Sequence, residues 1–222
     1  MPLKSIRLLR VAVVLAAALT SCSTSEFAPG RSDRGTSDAI GRAKTTEVQS
    51  PTIRKVLESA HEQTTVTRGY TQEYFTISYP GGDLPAETGA CTDVIIRGFR
   101  NAGVDLQKEV HEDMVANFSR YPAKWGLAKT DPNIDHRRVP NLQTYFSRRG
   151  KALPVGTDPM NYQPGDVVSW DLDGKGMTHI GIVSNQWNEK TKRYLIVHNI
   201  GAGARTEDRL FDWKITGHYR YF

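Results

Sequence analysis

The stretch ETGACTDVIIRGFRNAG, residues 87–103, carries Cys91, one of two cysteines in a chain of 222 residues. An unpaired thiol can be a small buried core residue or a nucleophile, and the count alone leaves both open. Cys91, Ile95, Phe99 and Ala102 recur at helical spacing after the Gly/Pro-rich loop GGDLPAETGA. That pattern predicts a helix stopping near Gly103, with the thiol in its first turn and on its inward face. There the helix dipole and free backbone N–H groups favour thiolate, and the same N–H groups can receive a developing oxyanion. Asp93, two residues on, sets a carboxylate close to the sulphur, which opposes ionisation.

A catalytic thiol needs a base, usually a histidine distant in sequence and near in the fold. Of six histidines, His61 and His111 fall in charge-rich helical stretches, His218 lies beside Arg220 near the end, and His136 in IDHRR is ambiguous. His179 in HIGIVS and His198 in YLIVHNI sit in strand-like segments suited to packing against the Cys91 helix. Either alone fits a satisfied sheet histidine; with a lone thiol they supply a base and the group that orients it. Strand alternation turns Asn199 away from His198, so one of that pair can orient His179, and His198 is taken. Gly181 shares the His179 face and is read as leaving room beside it.

Other motifs carry less. DLDGKG at 171–176 opens like a calcium loop, but its twelfth position is Ile182 where a bidentate Glu is required, so a hairpin turn is expected. HExxH is absent and two cysteines cannot build a structural zinc site; no metal and no cofactor are expected. GAGA at 201–204 opens no helix. Arg137 and Arg138 are candidates for a fork that binds substrate carboxylates, or for a solvated surface pair.

The elements that must position these residues follow from periodicity. Helices are expected from Pro51, from Cys91, and near 105–118 and 141–149, with EYFTISYP as a strand or extended segment. GDVVSWDL, THIGIVSNQW, RYLIVHNI and HYRYF are short β-branched and aromatic runs typical of an antiparallel sheet. Helices first and strands last give an α+β class. The formal charge of +5 fits an anionic surface, yet no dense basic run, zinc-finger spacing or RNP-like motif is present, so nucleic acid is not an expected partner.

Ahead of the domain, Lys4, Arg7 and Arg10 precede an apolar run from Val11 to Leu19. The run is far shorter than the roughly 20 residues that span a bilayer, and it reads as an export signal. Leu19-Thr20-Ser21-Cys22 resembles a bacterial lipobox, which makes Cys22 the lipidation site and Cys91 the remaining thiol in an oxidising compartment. The expected organisation is a lipoprotein signal at 1–22, a flexible Ser/Thr/Gly-rich tether at 23–51, and one domain at 52–222. The resemblance, with Ser23 after the cysteine, implies a bacterial envelope lipoprotein anchored in the outer membrane.

The ordered motifs YPGG at 79–82, GACTD, QPGDVVSW, HIGIVS and YLIVHN resemble those of NlpC/p60 papain-like cysteine peptidases. More closely, GACTDVIIRGFRNAGVDLQ, NIDHRRVPNL and the GHYRYF ending resemble a bacterial family known as domain of unknown function 1287. The resemblance implies a papain-type fold with Cys91 as nucleophile at a helix start, His179 as general base, His198 as its orienting partner, and Tyr79 bordering the oxyanion site. Thr92-Asp93 stands where that pattern has Ser-Gly. The implied activity is hydrolysis of an amide bond in peptidoglycan stem or cross-link peptides. Alternatives are a thioester-forming acyltransferase, a lipid-directed hydrolase, and a non-catalytic lipoprotein that binds wall or a protein partner.

Overall fold

A computed structural model describes residues 43–222; the export segment, Cys22 and residues 23–42 of the tether lie outside it. Four helices precede most of the sheet: α1 (Pro51–Val66), α2 (Cys91–Asn101), α3 (Leu106–Asn117) and α4 (Val139–Arg148). The strands are β1 (Lys44–Thr45), β2 (Val167–Asp171), β3 (Thr178–Asn188), β4 (Arg193–Asn199), β5 (Ala204–Glu207) and β6 (Lys214–Tyr219). They form one antiparallel sheet in the order β5-β4-β3-β2-β6, with β1 against the far end of β3. The class is α+β, helices followed by an antiparallel sheet.

The local reasons are visible in the sequence. Ser50 caps α1, its hydroxyl accepting the Ile53 N–H at 3.3 Å, and Pro51 opens the helix where an N–H has no helical partner. Alternation sorts β3 into two faces. Ile180 and Ile182 join Val167 and Val197 under α2, against Val94, Ile95 and Phe99. Val183 on the other face joins Val168, Trp170, Ile196, Tyr162 and Leu210 in a second core.

One boundary changes and two segments are filled in. The tether is shorter than 23–51, because Lys44 and Thr45 pair with Trp187 and Gln186, and Thr46 N–H donates to the Asn185 carbonyl at 2.8 Å. The EYFTISYP segment forms no strand. Its polar groups are satisfied by side chains instead, as when Ile77 N–H donates to Asn133 Oδ1 at 2.9 Å. After GAGA the chain adds β5, whose pattern in ARTE is too short and polar to announce a strand. The DLDGKG loop is a turn closed on itself: Asp171 accepts the Gly176 N–H, and Asp173 those of Lys175 and Met177.

A buried carboxylate locks the end of the sheet. Asp166, 1% exposed, accepts from the Gln163 N–H, His218 Nε2 and both arms of Arg220, each at 2.8 Å. Burial alone would raise its pKa, but His218 and Arg220 hold it below the ordinary carboxylate value. A lowered folded pKa means stability present above the unfolded value and lost as pH falls through the folded one. Asp166→Ala leaves His218 buried without its partner, so urea unfolding should show a loss of about 3–5 kcal/mol at pH 7. The gap between native and variant should close below about pH 4.

Candidate active site

Cys91 is the first residue of α2 and is 6% exposed. No side chain at Ala90 caps this helix; Asp93 does so from inside, its Oδ2 accepting the Ala90 N–H at 2.6 Å. The same carboxylate receives Arg137 through Nε and Nη2, both at 3.1 Å, and the two side chains are 4% and 3% exposed. Asp93 is therefore a paired structural anion rather than a bare charge beside the sulphur. The thiol is approached by the Ile180 N–H and by the Thr92 and Cys91 N–H groups. That sets it against the main chain of β3, one residue from His179.

His179 lies on the β3 face opposite the helices, stacked on Trp170 at 5.7 Å with Trp213 edge-on at 5.9 Å. Its Nε2 meets His198 Nδ1 at 2.7 Å, and His198 Nε2 meets Glu207 Oε2 at 2.9 Å. Glu207 is held below the usual carboxylate range, chiefly by the bond from His198, so it is ionised at neutral pH and can only accept. With a neutral His198, its one proton faces Glu207 on Nε2, its Nδ1 accepts from the His179 Nε2–H, and the His179 Nδ1 lone pair is left free.

Burial pushes the Cys91 thiol up to about 12, against the pull of the Ile180 N–H. Burial, with His198 adding to it, pulls His179 down to about 3. At neutral pH the two groups are thus a thiol and a neutral imidazole.

Asn199 points away from His198 as alternation requires, and its Nδ2 holds the Gly69 and Gly89 carbonyls at 3.1 and 2.9 Å, fixing the loop into Cys91. Gly181 offers no spare room: a Cβ there would stand 2.7 Å from Ile196 Cγ2 and 3.2 Å from His198 Cβ. It lets β4 bring His198 close.

Tyr79 is not at the thiol. It is 42% exposed and packs edge-on against His111 at 5.2 Å. Its turn is drawn toward α3 and the end of α2, Gly82 N–H donating to Gln107 Oε1 and Arg100 to the Gly82 carbonyl. The tyrosine beside Cys91 is Tyr70, whose hydroxyl takes a bond from Gln72 Nε2. Its phenol is pushed up by burial and then by the thiol. Tyr70, Gln72, Cys91, Trp125 and Arg138 line a cleft of about 350 Å³. The two arginines of the expected fork diverge, since Arg137 is held by Asp93 and the Glu73 carbonyl, while Arg138 lies over Trp125. The remaining histidines are elsewhere: His61 with Asn185, His111 with Asp135, His218 with Asp166, and His136 buried. Among the described residues no cluster of three or more His, Cys, Asp or Glu could hold a metal.

Residues 57–221 match the family model described as Domain of unknown function (DUF1287). The chain belongs to this family. Its relative "Uncharacterized protein YijF" of Escherichia coli (strain K12) is 51% identical over 176 residues, covering 79% of this chain and 85% of that one. A solved structure from Staphylococcus aureus, described as similar to a lipoprotein of the NLP/P60 family, aligns with a TM-score of 0.39 at 15% identity. That alignment covers 83% of this chain and 46% of the other, so the DUF1287 chain spans less than half of that protein. No described helix is long and apolar enough to cross a membrane.

Sequence reasoning missed Glu207 and Tyr70. Glu207 lies in ARTE, where nothing in spacing marks it; Tyr70 lies in a loop 21 positions before Cys91. The relay makes two measurable claims. With a raised thiol pKa, alkylation of Cys91 by iodoacetamide should rise about tenfold per pH unit from pH 7 to 9; a flat profile would mean a preformed thiolate–imidazolium pair. Glu207→Gln can donate where Glu207 only accepts, so imidazole ¹⁵N shifts should show loss of the Nε2–H form of His179. Alkylation at pH 8 should slow by roughly tenfold or more.

Proposed function

We propose that this DUF1287 domain is a cysteine hydrolase of the NlpC/p60 papain-like type, cleaving an amide bond in peptidoglycan stem or cross-link peptides. The observation that carries the proposal is the relay from Glu207 through His198 to His179, ending one residue from the peptide N–H that faces a helix-start thiol. The order Cys91, His179, His198 along the chain is that of the resembling motifs. The substrate follows from that resemblance and from the lipobox-like leader.

In this mechanism His179 Nδ1 takes the thiol proton as sulphur attacks the carbonyl carbon. The imidazolium so formed is stabilised through His198 by Glu207. The Cys91 N–H, freed by its place at the helix start, and the Tyr70 hydroxyl are positioned to receive the oxyanion. His179 returns the proton to the leaving amine, and water, deprotonated by the same imidazole, releases the acyl group from sulphur.

A second reading has support in the burial of Cys91: a non-catalytic lipoprotein with an inert thiol. Incubation of the full-length protein and its Cys91→Ala variant with purified muropeptides, read by mass spectrometry, separates the two. Cleavage products with a new free amine should form with the native protein and be absent with the variant; a conjugate instead of a free amine would indicate acyl transfer. If both proteins leave every muropeptide intact, the substrate assignment fails.

Membrane anchorage is proposed through lipid on Cys22, the chain ahead of β1 acting as leader and spacer for the domain that follows. Mass spectrometry of envelope-extracted protein should show an acylated N-terminal Cys22, and Cys22→Ser should release the domain from the membrane fraction. Finding an unmodified mature N-terminus at another residue would rule this out.

A further inference from the structure

Arg137 and Arg138 are adjacent in sequence and opposite in circumstance. The first has its charge neutralised by a bidentate carboxylate. The second lies with its guanidinium 4.2 Å from the centroid of the Trp125 ring, and its Nη1 is buried with no hydrogen-bond partner among the described residues. Asp131 and Asp135 act on it through space only. A guanidinium stays charged whatever its surroundings, so the Cys91 cleft holds a cation with unspent donors.

The platform beneath it is costly. Trp125 adopts φ 61°, a left-handed conformation disfavoured for a bulky side chain, and Gly126 follows at φ 64°. The indole is nevertheless 52% exposed, so burial does not account for the conformation. What it achieves is a flat surface that holds the Arg138 guanidinium at the wall of the Cys91 cleft. Thr92 Oγ1 donates to the Arg137 carbonyl at 3.2 Å, which fastens the start of this segment to the residue after the nucleophile.

We propose that Arg138, laid on Trp125, is an anion subsite that reads a free carboxylate on the substrate a residue's length from the amide attacked by Cys91. The proposal rests on the cysteine hydrolase reading and narrows its substrate to acidic peptides, those with a terminal or side-chain carboxylate near the cut. A planar fork meets a carboxylate through two parallel bonds, which an uncharged carboxamide cannot match.

The test uses the full-length protein and two thiol-directed reagents, N-iodoacetyl-alanine and its carboxamide, which differ only in the carboxylate. Rates at Cys91 are divided by the rates with glutathione to remove intrinsic reactivity. The native protein should prefer the carboxylate reagent by about tenfold, Arg138→Gln should bring the ratio near one, and Arg138→Lys, which keeps charge but loses the fork, should fall between. The carboxamide rate of each protein is its own reference, so a change in thiol reactivity common to both reagents cancels in the ratio. A ratio unchanged in Arg138→Gln overturns the subsite and leaves the nucleophile reading standing. If native Cys91 reacts with neither reagent, the hydrolase reading fails and takes the subsite with it. Should the variants lose the carboxamide reaction as well, the native protein decides: N-acetyl-alanine must slow iodoacetamide labelling more than N-acetyl-alanine amide does, and equal protection overturns the proposal.

Discussion

The buried pair between Asp93 and Arg137 is the constraint on which the site depends. Taking two charges out of water costs several kcal/mol per ion, and such a pair is worthwhile only when its remaining lone pairs and protons are satisfied. Here they are: Asp93 also accepts the Ala90 N–H, and Arg137 donates to the Glu73 carbonyl. The bonds tie together the first turn of α2, the loop carrying Tyr70 and Gln72, and the segment carrying Arg138. A hydrophobic pair of similar size could fill the same space, but it would not cap α2. It would also leave the Cys91 backbone without a fixed direction. The anion beside the thiol is what holds the start of α2, and with it Cys91, in place.

The second half of the site works by the opposite electrostatic logic. Around Asp93 charge is neutralised on contact, whereas Glu207 acts at a distance, through the tautomer it imposes on two imidazoles. With Trp170 and Trp213 excluding water from His179, an imidazolium is disfavoured until a substrate makes the proton transfer profitable. Burial accounts for the low His179 pKa, and the separate burial of the thiol for the high Cys91 pKa. The thiol is kept neutral at rest, and a neutral thiol is less readily oxidised than a standing thiolate.

Much of this architecture is legible in the residues, and the failures are informative. The helices from Pro51 and Cys91 announce themselves by a cap, a proline and a stripe, and the strands from 167 to 199 by β-branched runs. Periodicity speaks for elements that bury one face, so it is silent on β5, whose polar ARTE contributes Glu207 from the sheet edge. It is equally silent on loops: the resemblance points to Tyr79, yet Gln107 and Arg100 hold that turn against α3, and the unremarkable Tyr70 takes the place beside the thiol. Asp93 is half readable: as its proximity suggests, its carboxylate adds to the raised pKa of Cys91. Its proximity to Cys91 is local and readable, while the partner that neutralises it is 44 residues away. The described chain also reaches into the expected tether, because pairing at Lys44 needs an open stretch of β3, which no local pattern in the tether reveals.

The deepest dependence is on register. β3 serves two cores at once, Ile180 and Ile182 beneath α2 and Val183 among the aromatic residues of the other face. His179 belongs to the aromatic face and the N–H of Ile180 to the thiol, so the two halves of the chemistry are carried by consecutive residues of one strand. A slip by a single residue would turn His179 toward the helices and remove it from His198. The irregularity of β3 against β4 lies where it does no such harm: the two strands shift register between Val183 and Trp187, beyond the site, and pair regularly at Ile182 and Val197. Between those positions and the relay stands Gly181, where a Cβ would press on Ile196 and His198. The absence of a side chain there lets the two histidines approach, so the regularity of β3 and the closeness of β4 together fix the His179–His198 pair.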